Sequence, residues 1–166
     1  LDIATGTGRT LQQIQSALPQ VELYGLDLSG SYLKQASKYL SSRSGDLVQL
    51  TRGNAEKMPY ASDSFQALTC VFLFHELPRD ARQNVLNECF RLLEPGGTLV
   101  LADSIQIEDS PKFTPIMENF HKIFHEPYYR DYIVDNINLR LEESGFSSIT
   151  SESHFMTKVW KANKPV

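Results

Sequence analysis

The chain opens on LDIATGTGRT, residues 1–10, and the reading of this stretch decides the fold. Leu1 to Ala4 is the end of an apolar strand, Gly6 and Gly8 flank Thr7, and helical periodicity starts at Thr10. Two glycines so spaced permit a tight turn in which backbone can approach a ligand with no side chain in the way. A dinucleotide-binding loop wants a third glycine three residues further on, for close helix packing, and Leu11 stands there instead. The turn alone also suits a plain strand-to-helix connection. Asp27 tips the balance toward a nucleotide, because it closes the next strand nineteen residues after Gly8, where a carboxylate can accept both ribose hydroxyl protons.

Outward from this loop, strand-like and helix-like segments alternate. VELYGLDL (21–28), LVQLTRG (47–53), FQALTCVFLF (65–74) and TLVLAD (98–103) are apolar, rich in strand formers and bounded by Gly, Pro, Ser or Asp. The last two are nearly all apolar and so are expected to be covered on both faces. Helical period runs over 10–18 with Leu11, Ile14 and Leu18 on one side, and over 29–40 with a Ser cap and Leu33, Ala36 and Leu40. A third helix spans 79–93 and carries Ala81, Val85, Leu86, Cys89, Phe90 and Leu93, ending at Pro95-Gly96-Gly97. This order predicts an α/β fold, a parallel sheet in a three-layer sandwich, with ligands outside the carboxyl ends of the strands.

Residues 104–132 break the pattern, being crowded with Phe113, Phe120, Phe124, Tyr128, Tyr129 and Tyr132 and punctuated by Pro111, Pro115 and Pro127. The segment is too long for a simple connection and is expected to hold one or two short helices as a cover over the strand ends. Its aromatics suit a pocket for a planar, apolar molecule and equally suit packing of the cover onto the sheet. A helix resumes over 137–144 and stops at Gly145, and 147–152 and 155–162 alternate as two half-buried strands that can pair antiparallel at one edge.

The 166 residues suit one domain with a real core, since about two-thirds of the unfolded surface is hidden at this size. A net charge of −4 and sixteen scattered Lys and Arg argue against nucleic acid as the main partner, which leaves a dense basic footprint. No apolar run approaches the roughly 18–20 residues of a membrane span. Cys70 and Cys89 lie in a strand and a helix without Cys-rich spacing and read as reduced core residues of an intracellular, cytoplasmic protein. Oligomeric state is not legible.

Four blocks together resemble the class I S-adenosylmethionine-dependent methyltransferases, most closely the small-molecule branch with the ubiquinone and menaquinone biosynthesis C-methyltransferases. LDIATGTG resembles the first motif, with Ala4 where many members carry its first glycine, and YGLDLS resembles the second, with Asp27 as the ribose acid. Residues 53–78, GNAEKMPYASDSFQALTCVFLFHELP, resemble the next two run together, with Asn54 in place of a usual Asp and Gln66 in place of another. LNECFRLLEPGGTLVLADS, residues 86–104, resembles the following helix, turn and strand, and LEESGF and the tail resemble the family more weakly. The resemblance implies a Rossmann-like, mostly parallel seven-stranded sheet of order 3-2-1-4-5-7-6 with the seventh strand antiparallel. It also implies helices ahead of the first strand, so that 1–166 reads as a single methyltransferase core lacking its start, with 104–132 a substrate-covering insertion.

By the same resemblance, S-adenosyl-L-methionine would lie across Asp2, Ala4, Thr5, Gly6, Thr7 and Gly8, with Asp27 on the ribose, Leu28, Asn54 and Ala55 around the adenine and Phe72 near the methionine end. The implied activity is methyl transfer to an O or C atom of a small phenol-, quinol- or enol-like acceptor. Such an acceptor must lose a proton, and His75, closing the fourth strand, is placed to assist as a base. The same position suits a residue that only lines the pocket or closes the strand. His121 and His125 have the i, i+4 spacing of helical metal ligands, but HKIFH lacks the Glu of a zinc-protease helix and has no third ligand, so they read as cover residues with no metal. Two other readings stand beside the enzyme: a non-catalytic module of this fold that serves a partner, suggested by Asn54 and Gln66, and an NAD-dependent oxidoreductase, which Leu11 opposes.

Overall fold

The computed structural model describes residues 1–41 and 48–166. Its sheet has seven strands, β1 (Asp2–Ile3), β2 (Tyr24–Asp27), β3 (Gln49–Arg52), β4 (Phe65–Val71), β5 (Leu93–Ser104), β6 (Ser147–His154) and β7 (Thr157–Asn163). They lie in the order β3-β2-β1-β4-β5-β7-β6, as the family resemblance implies. Neighbours from β3 to β5 run parallel, while β7 pairs antiparallel with both β5 and β6. The tail forms the expected antiparallel pair with β6 as the edge, but only β7 alternates in burial; β6 is exposed along nearly its whole length.

Helices α1 (Arg9–Ala17), α2 (Gly30–Ser41), α3 (Arg79–Leu92), α4 (Thr114–Phe124), α5 (Tyr129–Tyr132) and α6 (Ile137–Glu143) complete the framework. The cap of α2 is the expected one, with Ser29 Oγ accepting from the Tyr32 amide at 3.3 Å. On α6 the Asn136 side chain accepts from Leu139 N. The main core lies on one face of the sheet, where Ile3, Leu26, Leu68, Cys70, Leu99 and Leu101 meet Val85, Leu86, Cys89 and Leu92 of α3. On the other face α2 packs on β2 and β3 through Leu33, Ala36 and Leu40.

Gly25 shows how closely that second face is packed. A Cβ there would stand 2.8 Å from both Leu11 Cδ1 and Leu50 Cδ2 and 3.0 Å from Thr5 Cγ2. Gly25→Ala is expected to cost about 1–3 kcal/mol through overpacking, read as a lower midpoint in urea with an unchanged slope.

Several expectations need correction. The strand read over 65–74 stops at Val71, because Phe72 adopts φ 55 and Phe74 gives its amide to the Asp103 carboxylate at 2.8 Å, starting a 3-10 turn over Phe74–Glu76. The strand read over 21–28 begins only at Tyr24, since Val21 turns back to bond the Leu18 carbonyl. Leu47, read as part of the third strand, lies outside the described residues. In α1 only Leu11 is buried, and Leu18, 47% exposed, has left the helix with ψ 69.

Helix α3 passes into β5 at Leu93, so Pro95-Gly96-Gly97 sits inside the strand, with Gly96 at φ 81 bonded to the Lys164 carbonyl. Phe90 is only half-buried, and the α3 inner face is completed by Arg82 and Leu92. Among the described residues β4 and β5 are buried on one face only: Leu68, Cys70, Leu99 and Leu101 are buried, while Ala67 is exposed and Val71, Val100 and Ala102 are half-exposed. Helix α3 packs on β5, and α2 packs on β2 and β3.

Candidate active site

The carboxyl ends of β1, β2 and β4 open onto a cavity of about 490 Å³. Its geometry starts from the backbone of the opening loop. Ala4 has φ 55, Gly6 φ 54 and Gly8 φ 81, so the loop turns through left-handed residues and closes with Gly8 N bonded to the Thr5 carbonyl at 2.9 Å. Ala4 thus stands where a glycine would be free of Cβ strain, the physical reason a glycine suits that position.

Asp27 fixes this loop from the end of β2. One of its carboxylate oxygens accepts from Gly6 N and the other from Ser29 N, both at 2.8 Å. Each oxygen keeps a lone pair for a further donor, and the side chain borders the cavity. Asp2 acts from beneath: it is 2% exposed and accepts from the Thr5 and Thr69 hydroxyls, both at 2.7 Å. Burial pushes its carboxyl above the usual range, and the two hydroxyls work against that rise.

Ala4, Gly6, Asp27 and Leu28 line the cavity, as do Asn54, Ala55 and Phe72. Asp2, Thr5, Thr7 and Gly8 do not: Thr5 is tied to Asp2, and Gly8 packs on α2, where a Cβ would meet Leu40 Cδ1 at 3.1 Å. Asn54 uses its side-chain oxygen to accept from Glu56 N at 3.0 Å, which shapes the loop after β3. That loop is held from α3, where Glu88 accepts from Met58 N and Arg91 donates to the Met58 and Tyr60 carbonyls.

His75 lies behind the cavity wall formed by Phe72, Leu73 and Glu76, and is 9% exposed. Its Nδ1 is 2.6 Å from Asp103 Oδ1, and Asp103, fully buried, also accepts from Phe74 N and Ser104 N. Burial alone would lower the imidazole pKa, but the hydrogen bond and charge of Asp103, with Glu126 and Glu76 beyond, hold it above its ordinary value.

Several cavity residues escaped the sequence reading. Ser29, Tyr32, Gly53 and Glu56 flank motif residues in the chain, and Glu76, Leu77 and Val85 come from the turn and helix after β4. Asp103 escaped as well, although a carboxylate ending an apolar strand was its signal. Glu126 gave none. Helices α4 and α5 lie within 104–132, and Tyr129 and Tyr132 are buried against Ser104: the Tyr132 hydroxyl donates to its carbonyl, and the Tyr129 and Ser104 hydroxyls share a hydrogen bond, both at 2.6 Å. Among the described residues no three His, Cys, Asp or Glu side chains gather as a metal-binding group, and no helix is long and apolar enough to cross a membrane.

A doubly wound sheet of this order, with a left-handed loop and a strand-end carboxylate at one cavity, defines an α/β protein of Rossmann-like architecture. The profile of a family described as a methyltransferase domain matches residues 1–97, and the chain belongs to that family. It is 33% identical over 121 residues to a demethylmenaquinone methyltransferase of Thermotoga maritima, an alignment covering 73% of this chain and 49% of that protein. It is 31% identical over 130 residues to a ubiquinone/menaquinone biosynthesis C-methyltransferase of Desulfotalea psychrophila, covering 78% and 47%. The chain spans about half the length of these curated relatives.

Among solved structures, a putative methyltransferase from Bacillus halodurans superposes with a TM-score of 0.75 at 19% identity, over 99% of this chain and 91% of that one. Phosphoethanolamine N-methyltransferase 2 of Haemonchus contortus, solved with S-adenosyl-L-methionine, gives 0.73 at 14% identity over 99% and 48%. At such identities the likeness is one of fold.

Proposed function

We propose that this chain binds S-adenosyl-L-methionine in the cavity at the ends of β1, β2 and β4 and transfers its methyl group to an O or C atom of a small phenol-, quinol- or enol-like acceptor. The observation that carries this reading is Asp27, held at the cavity edge by the Gly6 and Ser29 amides with lone pairs left for a ribose diol. The site fits the cofactor in other respects. A Cβ built on Gly6 would meet nothing closer than 4.0 Å, so the loop backbone is open to a ligand, and the walls are largely apolar: Leu26, Leu28, Ala55, Phe72 and Val85. A volume of about 490 Å³ is that of a small-molecule site. The names of the relatives support a quinol-like acceptor.

Bound there, S-adenosyl-L-methionine supplies a methyl on a positively charged sulfur. What this chain adds is placement and exclusion of water: Asp27 and the loop set the nucleoside, Leu28 and Ala55 flank the base, and Phe72 bounds the methionine end. From residues 104–132 an aromatic row, Phe124, Phe120 and Tyr129, leads toward His75 and Phe72 at ring separations of 4.3, 4.5, 5.9 and 6.2 Å. An in-line displacement needs little covalent help once the reacting groups are aligned. The reduced, buried Cys70 and Cys89 speak for the cytoplasm as its compartment.

Calorimetric titration with S-adenosylmethionine, S-adenosylhomocysteine and NAD tests the cofactor assignment. Micromolar binding of both sulfur ligands and none of NAD is expected. Absence of binding by either sulfur ligand would sink the reading.

A further inference from the structure

The loop after β3 fixes the polarity of one side chain at the cavity edge. Asn54 lines the cavity, and its Oδ1 accepts from the Glu56 amide at 3.0 Å, closing a turn in which Lys57 N also donates to the Asn54 carbonyl at 3.1 Å. The turn is pinned on both sides. Gly53 N donates to the Asp27 carbonyl at 3.1 Å, and a Cβ on Gly53 would stand 3.0 Å from Leu26 Cδ1. From α3, Asn84 Nδ2 donates to Glu56 Oε2 at 2.9 Å, and Glu88 Oε2 accepts from Met58 N at 2.8 Å. An amide carries its oxygen and its NH2 group on two separate prongs. With the oxygen committed to Glu56 N, the NH2 group is the free end, and it has no hydrogen-bond partner among the described residues. Turning the amide over would set its NH2 group against the Glu56 N–H, donor to donor.

We propose that Asn54 is a specificity-determining residue that reads the base with a donor: its NH2 group meets the six-position edge of a purine and favours an acceptor there. The cavity then admits a 6-oxopurine nucleoside more readily than a carboxylate at the same position would allow. This rests on the methyltransferase reading above, in which Asp27 takes the ribose. Asn54 directly follows the residue bonded to Asp27, and Leu28, Ala55, Leu77 and Val85 give this part of the cavity apolar walls. A purine that leaves the ribose there lies against apolar side chains and turns its polar edge to Asn54.

Along that edge adenine presents the N6 hydrogens and a bare N1, whereas hypoxanthine presents a bare O6 and a hydrogen on N1. The Asn54 NH2 group suits O6 directly. Against N6 it stands donor to donor, and the second lone pair of Oδ1 lies on the prong already turned toward Glu56 N. A carboxylate at position 54 reverses the preference: one oxygen keeps the Glu56 amide, and the other accepts from N6 and faces O6 lone pair to lone pair. In each mismatched pair the base must slide by one atom along its edge to find a partner. Aspartate has nearly the size and shape of asparagine, so Asn54→Asp changes the polarity of one prong and adds a charge. Adenosyl and inosyl ligands carry the same net charge, and the added charge cancels in the ratio of their affinities.

The test is calorimetric titration of the chain, of Asn54→Asp and of Asn54→Ala with S-adenosylhomocysteine and with S-inosylhomocysteine. The ratio of adenosyl to inosyl affinity is expected to rise about 10-fold or more in Asn54→Asp, the size of one hydrogen bond gained by one ligand and denied to the other. Asn54→Ala, with neither prong, is expected to give a ratio between those two. The ratio is internal to each protein, so a variant that folds less well lowers both affinities together. A ratio that is unchanged or lower in Asn54→Asp, beside binding of S-adenosylhomocysteine by the unaltered chain, overturns the base-reading role and leaves the cofactor assignment intact. A ratio in Asn54→Ala at or below that of the unaltered chain overturns the donor assignment. Binding of neither ligand by the unaltered chain overturns the methyltransferase reading, and this inference falls with it.

Discussion

Replacing Arg82 with methionine is expected to lower folding stability by about 2–3 kcal/mol, somewhat less than the about 3–5 kcal/mol usual when a buried charge loses its only partner. The side chain is fully buried in α3 and reaches three elements at once: Nε donates to the Phe74 carbonyl at 3.0 Å, Nη1 to Asp131 and Asp135 at 2.9 and 2.7 Å, and Nη2 to the Tyr128 carbonyl at 3.2 Å. Its guanidinium carbon also stands 5.5 Å from the centre of the Tyr132 ring. Methionine fills much of the space but leaves two carbonyls without donors. Asp135 keeps Arg140 at 2.6 Å, which holds the loss below that of an abandoned charge. Burial tends to raise the Asp135 carboxyl, and the hydrogen bonds of Arg140 and Arg82 overcome this and hold it below the usual range. Arg79 gives the contrast, since its pair with Asp131 at 2.7 Å is about half exposed and Arg79→Ala should cost at most about 1 kcal/mol. Guanidinium titrations of both variants settle the matter, and equal small losses would mean that the cover is not anchored through Arg82.

For Asp27→Asn the expected result is a loss of about 100-fold in S-adenosylmethionine affinity, the size of a hydrogen bond or two to a charged group at about 1.5–3 kcal/mol each. An amide has one acceptor oxygen, so it cannot serve both Gly6 N and Ser29 N, and its NH2 group would face one of these amides donor to donor. The charge that would hold a ribose diol is lost in the same change. A thermal midpoint measured without ligand separates the two effects: a small drop beside a large affinity loss places Asp27 in binding. Unchanged affinity would remove the central observation of the proposed site.

The legible part of the fold was what period and punctuation encode. The alternating strands and helices, the Ser29 cap, the Gly145 stop and the antiparallel tail all arise from local chemistry that a sequence displays directly. The order of the sheet came from family likeness, since no spacing states which strand neighbours which. What misled was composition read without topology. FQALTCVFLF is nearly all apolar, yet its end is bent away by the left-handed Phe72 and by a carboxylate from another strand, and its residues differ in burial from one face to the other. At the site, the loop and Asp27 were visible because their roles depend on near neighbours in sequence. Asp103 and Glu126 were not, because each acts on His75 from 28 or more residues away, through contacts that exist only once β5 and the cover are in place.

The left-handed torsions around the cavity bear on how this chain can vary. Positions 4, 6 and 8 and Phe72 all have positive φ, and only glycine, with asparagine and aspartate behind it, enters that region at little cost. The shape that receives a ligand is thereby written in torsion angles more than in side-chain identity. Few single substitutions are therefore open to the opening turn, and a change at Ala4 to anything but glycine, asparagine or aspartate would act on the shape of the cavity before it acted on its chemistry.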